Sequence, residues 1–252
     1  MQDKNNKQDK WFITFGGPNE NFHRAVKRIC SEANAFSEFD HIIGYTDKDL
    51  VKDAEFWNKH NDFISKSNRG YGYWIWKSYL TKKTLKMMND NDILVYADAG
   101  CQLNPNGRKR LYEYFDIVNQ SKYANFSIQI PSYLEKTFTK MDIFEYLDAK
   151  QPEFLNTGQL IATSFILRKC QHTINLIDKW YESCCQYHLI DDSHSHTPND
   201  PSFDSARHDQ SIFSVLRKKF GTEMTNFDET WFAPNWAISG ENYPIWASRT
   251  RN

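Results

Sequence analysis

Residues 93–101, Ile93-Leu94-Val95-Tyr96-Ala97-Asp98-Ala99-Gly100-Cys101, decide the reading of this chain. The apolar run Ile93-Leu94-Val95 has the composition of a buried strand. It delivers one carboxylate, Asp98, between small neighbours at the strand's carboxyl end. Ligands bind at that edge in open α/β sheets. An acid held there can carry a divalent cation that bridges to a diphosphate. The same residue can also cap the loop leaving the strand.

Working outward, strands and helices alternate. Trp11-Phe12-Ile13-Thr14-Phe15 predicts a first strand, and Gly16-Gly17-Pro18 a turn that leaves room for a ligand. Phe22, Ala25, Val26, Ile29 and Ala33 recur at helical spacing, and His41–Tyr45 reads as a second strand. Thr46-Asp47 can cap a helix running through Phe56 and Trp57. Tyr73 to Met88 reads as an amphipathic helix. Asn125–Ile130 predicts a strand stopped by Pro131, and Leu160–Leu167 another. Cys170–Tyr187 and about His208–Lys219 predict two further helices. This alternation favours an α/β fold with a mostly parallel sheet and helices on both faces. Residues 1–10 read as a disordered lead and 11–252 as a single domain. The tail from Thr230, with Trp231, Trp236 and Trp246, is expected to pack back as ordered coil.

Composition narrows the function. The 31 basic and 32 acidic residues cancel, so no global field draws the chain to nucleic acid or an anionic membrane. With 18 Phe, 13 Tyr and 8 Trp there is aromatic surface enough for a core and for sugar or nucleobase pockets. The five cysteines are odd in number and lack a C-x-x-C pair, which is neither a zinc pattern nor a disulfide framework. They point to a reducing compartment. No run of about 18 apolar residues occurs, so a cytoplasmic protein is expected, with peripheral membrane contact at most.

Two further stretches carry chemistry. In Arg69-Gly70-Tyr71-Gly72-Tyr73-Trp74-Ile75-Trp76-Lys77, two glycines and four aromatics lie between two cations. The glycines would let the backbone bend at a helix N-terminus, where free N–H groups favour an anion, and Arg69 and Lys77 would add charge for a diphosphate. Alternatively Trp74 and Trp76 are core residues and Lys77 is a solvated lysine. In Arg207-His208-Asp209-Gln210-Ser211, Asp209 is a candidate base or the N-cap of the last helix. His194-x-His196 falls in a polar loop without a Cys or Glu at zinc spacing. Asp191-Asp192, Lys82-Lys83 and Lys218-Lys219 read as solvated surface, with the lysines at most weak contacts to an anionic lipid.

Taken together, the Arg69–Lys77 block, Leu94-Val95-Tyr96-Ala97-Asp98-Ala99-Gly100-Cys101 and Arg207–Ser211 resemble small GT-A-fold glycosyltransferases of bacterial surface-polysaccharide loci and large DNA viruses. The resemblance spans about Trp11 to Phe220. It implies a GT-A-like (Rossmann-like) fold, a nucleoside-diphosphate sugar donor and a glycan or lipid-linked glycan acceptor. It makes Asp98, with Ala99 beside it, the last acid of the D-x-D motif that binds Mn2+ or Mg2+, with Tyr96 where the first acid would stand. It places Thr14, Phe15 and Gly16 at base and ribose. Arg69, Trp74 and Lys77 fall at phosphates or donor sugar, Gln159, Thr163 and Gln210 at the sugar, and Asp209 near the acceptor hydroxyl. A sugar-phosphate nucleotidyltransferase is the alternative enzyme, although Gly16-Gly17-Pro18-Asn19 lacks that class's basic residue. A non-catalytic carbohydrate-binding protein is a third reading.

Overall fold

A computed structural model describes residues 7–250. In chain order the first five strands are β1 (Lys10–Gly16), β2 (His41–Thr46), β3 (Ile93–Ala97), β4 (Gln102–Leu103) and β5 (Asn125–Ser127). The next five are β6 (Gln129–Leu134), β7 (Gly158–Leu160), β8 (Ser164–Arg168), β9 (Glu223–Met224) and β10 (Ile245–Trp246). Six of them form one mixed sheet in the order β2-β1-β3-β8-β5-β9. Parallel pairs join β1 to β2 and β3, and β5 to β9, while β8 runs antiparallel between β3 and β5. β6 pairs with β7, and β4 with β10, in two small antiparallel ribbons.

β3 is buried along its whole length, as its apolar run requires. Its side chains alternate between two cores, because successive strand residues point to opposite faces. Leu94 and Tyr96 join the core that holds the helices Ile75–Met87, Gln171–Cys184 and Asp209–Phe220. Ile93, Val95 and Ala97 join the core that holds Glu20–Phe36 and Arg108–Gln120. Helices therefore cover both faces. All strands of the six-stranded sheet except β8 run in one direction, and β8 alone returns in the opposite one.

Several boundaries differ from the periodicity reading. Lys10 already belongs to β1, and the Asp9 amide donates to Asp92 Oδ1 at 3.0 Å, so the lead is ordered by residue 9; residues 1–6 lie outside the described residues. Pro131 does not stop a strand: β5 ends at Ser127, and β6 carries Pro131 through an irregular register against β7. The run Leu160–Leu167 is split between β7 and β8, because the chain turns there towards the site. Asp53 interrupts the helix begun at Asp47 and caps a second, Ala54–Ser65. The tail pairs β10 with β4, and the Thr250 amide donates to the Gly100 carbonyl at 2.8 Å.

Two charged residues of the helix Asp209–Phe220 are interior, and one of them, Lys218, was read as surface. Lys218 is only 7% exposed and pairs at 2.8 Å with Glu135, which is fully buried. Arg217, which sequence reasoning passed over, is fully buried on the same helix. Its guanidinium donates to the Leu160 and Ile161 carbonyls at 2.9 and 2.8 Å and to Ser127 Oγ at 3.1 Å. Burial lowers its pKa to about 9, against the nearby charge of Glu135. These bonds tie the helix that begins at Asp209 to the sheet.

Candidate functional site

The site is assembled at the carboxyl end of β3. The Asp98 amide donates to the Thr163 carbonyl at 2.8 Å and the Cys101 amide to the Asp98 carbonyl at 2.8 Å, which closes a tight turn. The turn is held from below by Arg28 on the Glu20–Phe36 helix. One guanidinium nitrogen donates to the carbonyls of Ala99 and Cys101 at 2.8 Å and of Thr250 at 3.1 Å. Arg28 was not among the expected site residues; no local pattern reports a contact more than 70 residues away.

Lys77 lies at the centre of the cluster and is nearly inaccessible. Its Nζ stands 3.1 Å from Asp98 Oδ1 and 3.7 Å from Asp209 Oδ2, and donates to the Ala162 carbonyl at 3.0 Å. Its ammonium also lies 5.1 Å from the centre of the Tyr96 ring. Burial works against the charge on Lys77, but Asp98 and Asp209 outweigh it and raise its pKa above the ordinary value. It is not a solvated lysine.

The two acids differ. The Asp98 side chain is 34% exposed, and its Oδ1 accepts from both the Tyr96 hydroxyl and Lys77. Tyr96, where a second acid would be expected, thus serves Asp98 as a donor. Asp209 is buried, and no hydrogen-bond donor reaches its Oδ2. Burial pushes its pKa up to about 7, while the Lys77 charge pulls it down and Asp98 pushes it further up. Asp209 is the first helical residue, not the N-cap; that position is His208, at φ +53° and ψ −124°. Such a backbone is strained for a side chain with a Cβ, and it persists only where the surroundings enforce it. Here the His208 ring donates from Nδ1 to the Ile190 carbonyl at 2.7 Å and stacks on Trp74 at 5.2 Å.

The Arg69–Lys77 block is not a bent helix start. Gly70, Tyr71, Gly72, Tyr73 and Trp74 all have positive φ, between +50° and +88°, forming one left-handed turn before the helix begins at Ile75. Left-handed backbone costs a non-glycine residue roughly 1–2 kcal/mol, so Tyr71, Tyr73 and Trp74 are held by packing. A Cβ on Gly70 would come within 2.5 Å of the Trp74 ring, so glycine is needed there both for its φ and for its space. Trp76 closes the turn from above, donating from Nε1 to the Gly70 carbonyl at 2.9 Å and stacking on Phe15 at 3.9 Å.

The other expected site residues divide. Gln210 accepts from the Ala162 amide at 3.0 Å and donates to Gln159 Oε1 at 2.8 Å. Gln159 is fully buried and spends its Nε2 on Phe138 and Thr139, so it braces the site from inside. Thr163 meets Asp98 through its carbonyl, and its side chain is half-buried. Thr14 is buried with an unpaired Oγ1. Gly16 is small to admit its helix, since a Cβ would lie 2.7 Å from the Phe22 carbonyl oxygen and from Val26; the open space is at Gly17. Ala99 packs under the turn on Ala25 and Val26. Arg69 pairs with Asp192 at 3.2 Å, which also removes Asp192 from the set of merely solvated acids.

No family model matches this sequence, and no curated protein does either. The chain is similar to solved glycosyltransferases. Mouse xyloside xylosyltransferase 1 aligns over 94% of this chain and 97% of its own, at 13% identity and a TM-score of 0.48. A glycosyltransferase involved in glycosylation of the major capsid of PBCV-1 aligns over 94% and 91%, at 6% identity and 0.49. 4-Diphosphocytidyl-2C-methyl-D-erythritol synthase aligns over 93% and 97%, at 8% identity and 0.42. A fold can host unrelated chemistries, so the residues themselves must speak for the reaction. No helix among the described residues is long and apolar enough to cross a membrane.

Proposed function

We propose that residues 11–252 act as a glycosyltransferase. It would move a sugar from a nucleoside-diphosphate donor to a hydroxyl of a glycan or lipid-linked glycan, in surface-polysaccharide or glycoprotein assembly. One observation carries this reading: two carboxylates of unlike character share the Lys77 ammonium, Asp98 a third exposed and Asp209 buried with a pKa near 7. Glycosyl transfer needs both kinds of group. A departing diphosphate must be neutralised and an acceptor hydroxyl must lose its proton.

The Asp98 turn suits Mn2+ or Mg2+. Oδ1 is engaged by Tyr96 and Lys77, while Oδ2 has no hydrogen-bond partner among the described residues. One carboxylate suffices for such an ion when phosphates and water supply the other ligands. When bound, the ion would neutralise charge on the leaving diphosphate. Lys77, 3.1 Å from Asp98 Oδ1, holds the Asp98 side chain in place. In an inverting course Asp209 takes the acceptor proton on its unpaired oxygen; in a retaining course it orients sugar and acceptor. The left-handed turn packs beside Phe15, whose ring stacks on Trp76.

Calorimetric titration with UDP, GDP and dTDP, with and without Mn2+, tests the donor site, and product masses from a donor-sugar screen test transfer. Metal-dependent diphosphate binding that disappears in Asp98→Ala supports the reading. Unchanged binding in that variant removes Asp98 from the role. Release of pyrophosphate from a nucleoside triphosphate and a sugar 1-phosphate would replace transfer by nucleotidyl chemistry.

A further inference from the structure

Outside the Lys77 cluster, one group of side chains has the makings of a second site. Asp142 belongs to the short helix Met141–Tyr146, His188 to Tyr187–Ile190, and His196 to the loop that follows. One potential ligand atom from each lies within 4.8 Å of the others. We propose that Asp142, His188 and His196 bind a borderline divalent cation of the zinc type.

The carboxylate is prepared for it. Asp142 is buried, and its two oxygens accept the backbone amides of His196 and Thr197, each at 2.8 Å. These bonds seat His196 beside the acid, and each oxygen keeps a second lone pair. The two imidazoles stack with centres 5.3 Å apart and planes 10° from parallel. Neither ring has a hydrogen-bond partner among the described residues, so their nitrogens are uncommitted.

The donor set selects the ion. Two imidazoles and one carboxylate suit zinc, cobalt or nickel, whereas magnesium and calcium prefer oxygen throughout. Tetrahedral zinc, with bonds of about 2.0 Å, sets its ligands roughly 3.3 Å apart. The ligand atoms must therefore draw in by at most about an ångström and a half, and His196 is exposed. Water would fill the fourth position.

The cation would fasten a segment that walls the candidate active site. Between His188 and His196, the Ile190 carbonyl accepts from His208, Asp191 meets Lys140 at 3.2 Å, and Asp192 pairs with Arg69. Sequence spacing pairs His196 with His194 instead, because Asp142 is 54 residues distant.

Equilibrium dialysis of the metal-stripped full chain against zinc, with cobalt absorption as a second readout, tests the site without any sugar donor. We expect one zinc per chain, cobalt bands typical of tetrahedral nitrogen and oxygen ligation, and a rise in Tm with zinc. All three should vanish in His196→Ala and persist in His194→Ala and Asp98→Asn, with folding checked by circular dichroism. The proposal is overturned if the wild type retains no zinc, if His196→Ala still binds it, or if either of the other two variants loses it. Because donor binding is read separately, failure here leaves the transferase reading standing, and the reverse holds too.

Discussion

Asp209 Oδ2 stands 3.7 Å from Lys77 Nζ, buried, with no hydrogen-bond donor of its own. At that distance the ammonium stabilises the carboxylate without satisfying it. Desolvation wins, and the group remains half protonated near neutral pH.

Stability should fall as pH rises because of this residue. The folded pKa is about 7 against an ordinary 3.8, so between those values the native state holds a proton that the unfolded chain has released. Native protein is therefore favoured at the acid end of the window and loses that advantage as pH climbs through it. Each pKa unit corresponds to about 1.4 kcal/mol, so the full effect is a few kcal/mol. Urea unfolding from pH 4 to 8 should show Asp209→Asn gaining on wild type across the window. Parallel profiles would mean that Asp209 does not titrate there.

Turnover should rise with pH through about 7, as the base ionises. Asp209→Asn should keep diphosphate binding and lose most of kcat; near-wild-type turnover would reduce Asp209 to a helix-end acid. Lys77→Met should move the rising limb to higher pH, because Asp98 and Asp209 would then face each other uncompensated. Breaking a buried pair in this way costs about 3–5 kcal/mol, and adding Asp209→Asn should restore part of it. A pH–rate profile and urea midpoints for the single and double variants check both statements.

Substitution should be costly at Gly70, within the left-handed turn, and nearly neutral at Gly17, after β1. Gly70→Ala places a Cβ 2.5 Å from the Trp74 ring at φ +62°. We expect a loss of about 2 kcal/mol or more. Gly17→Ala, whose Cβ would meet only Tyr71 at 3.9 Å, should change stability by less than about 0.5 kcal/mol. Chemical denaturation compares them directly, and equal effects would contradict the strain described for the turn.

Arg28 should matter to the site by holding the turn that carries Asp98. Replacing it by Met frees three carbonyls, at Ala99, Cys101 and Thr250. Leaving such groups unpaired costs about 1–3 kcal/mol each when they stay buried. Hydrogen exchange should accelerate at the Cys101 and Thr250 amides, and metal-dependent diphosphate binding should weaken while the β1–β2 amides stay protected. Unchanged exchange around residues 98–101 would show that the turn holds itself.

What the sequence determined alone is local. The apolar run at 93–95 specified a buried strand, and its end specified an acid at the sheet edge, because side-chain periodicity reports which faces of an element are covered. Helix phases at Phe22–Ala33 and after His208 were legible for the same reason. Only the tertiary structure decided which cation meets Asp98. Lys77 and Arg69 look alike in sequence, yet one is sealed against two acids and the other pairs with Asp192. The left-handed turn was likewise hidden, since it is Trp74 lying on Gly70 and His208 that makes such a backbone tolerable. Gln159, Arg217 and the Asp142–His188–His196 group acquire their roles from segments brought together across the chain. Burial and charge pairing depend on those long-range crossings, and no local spacing carries them.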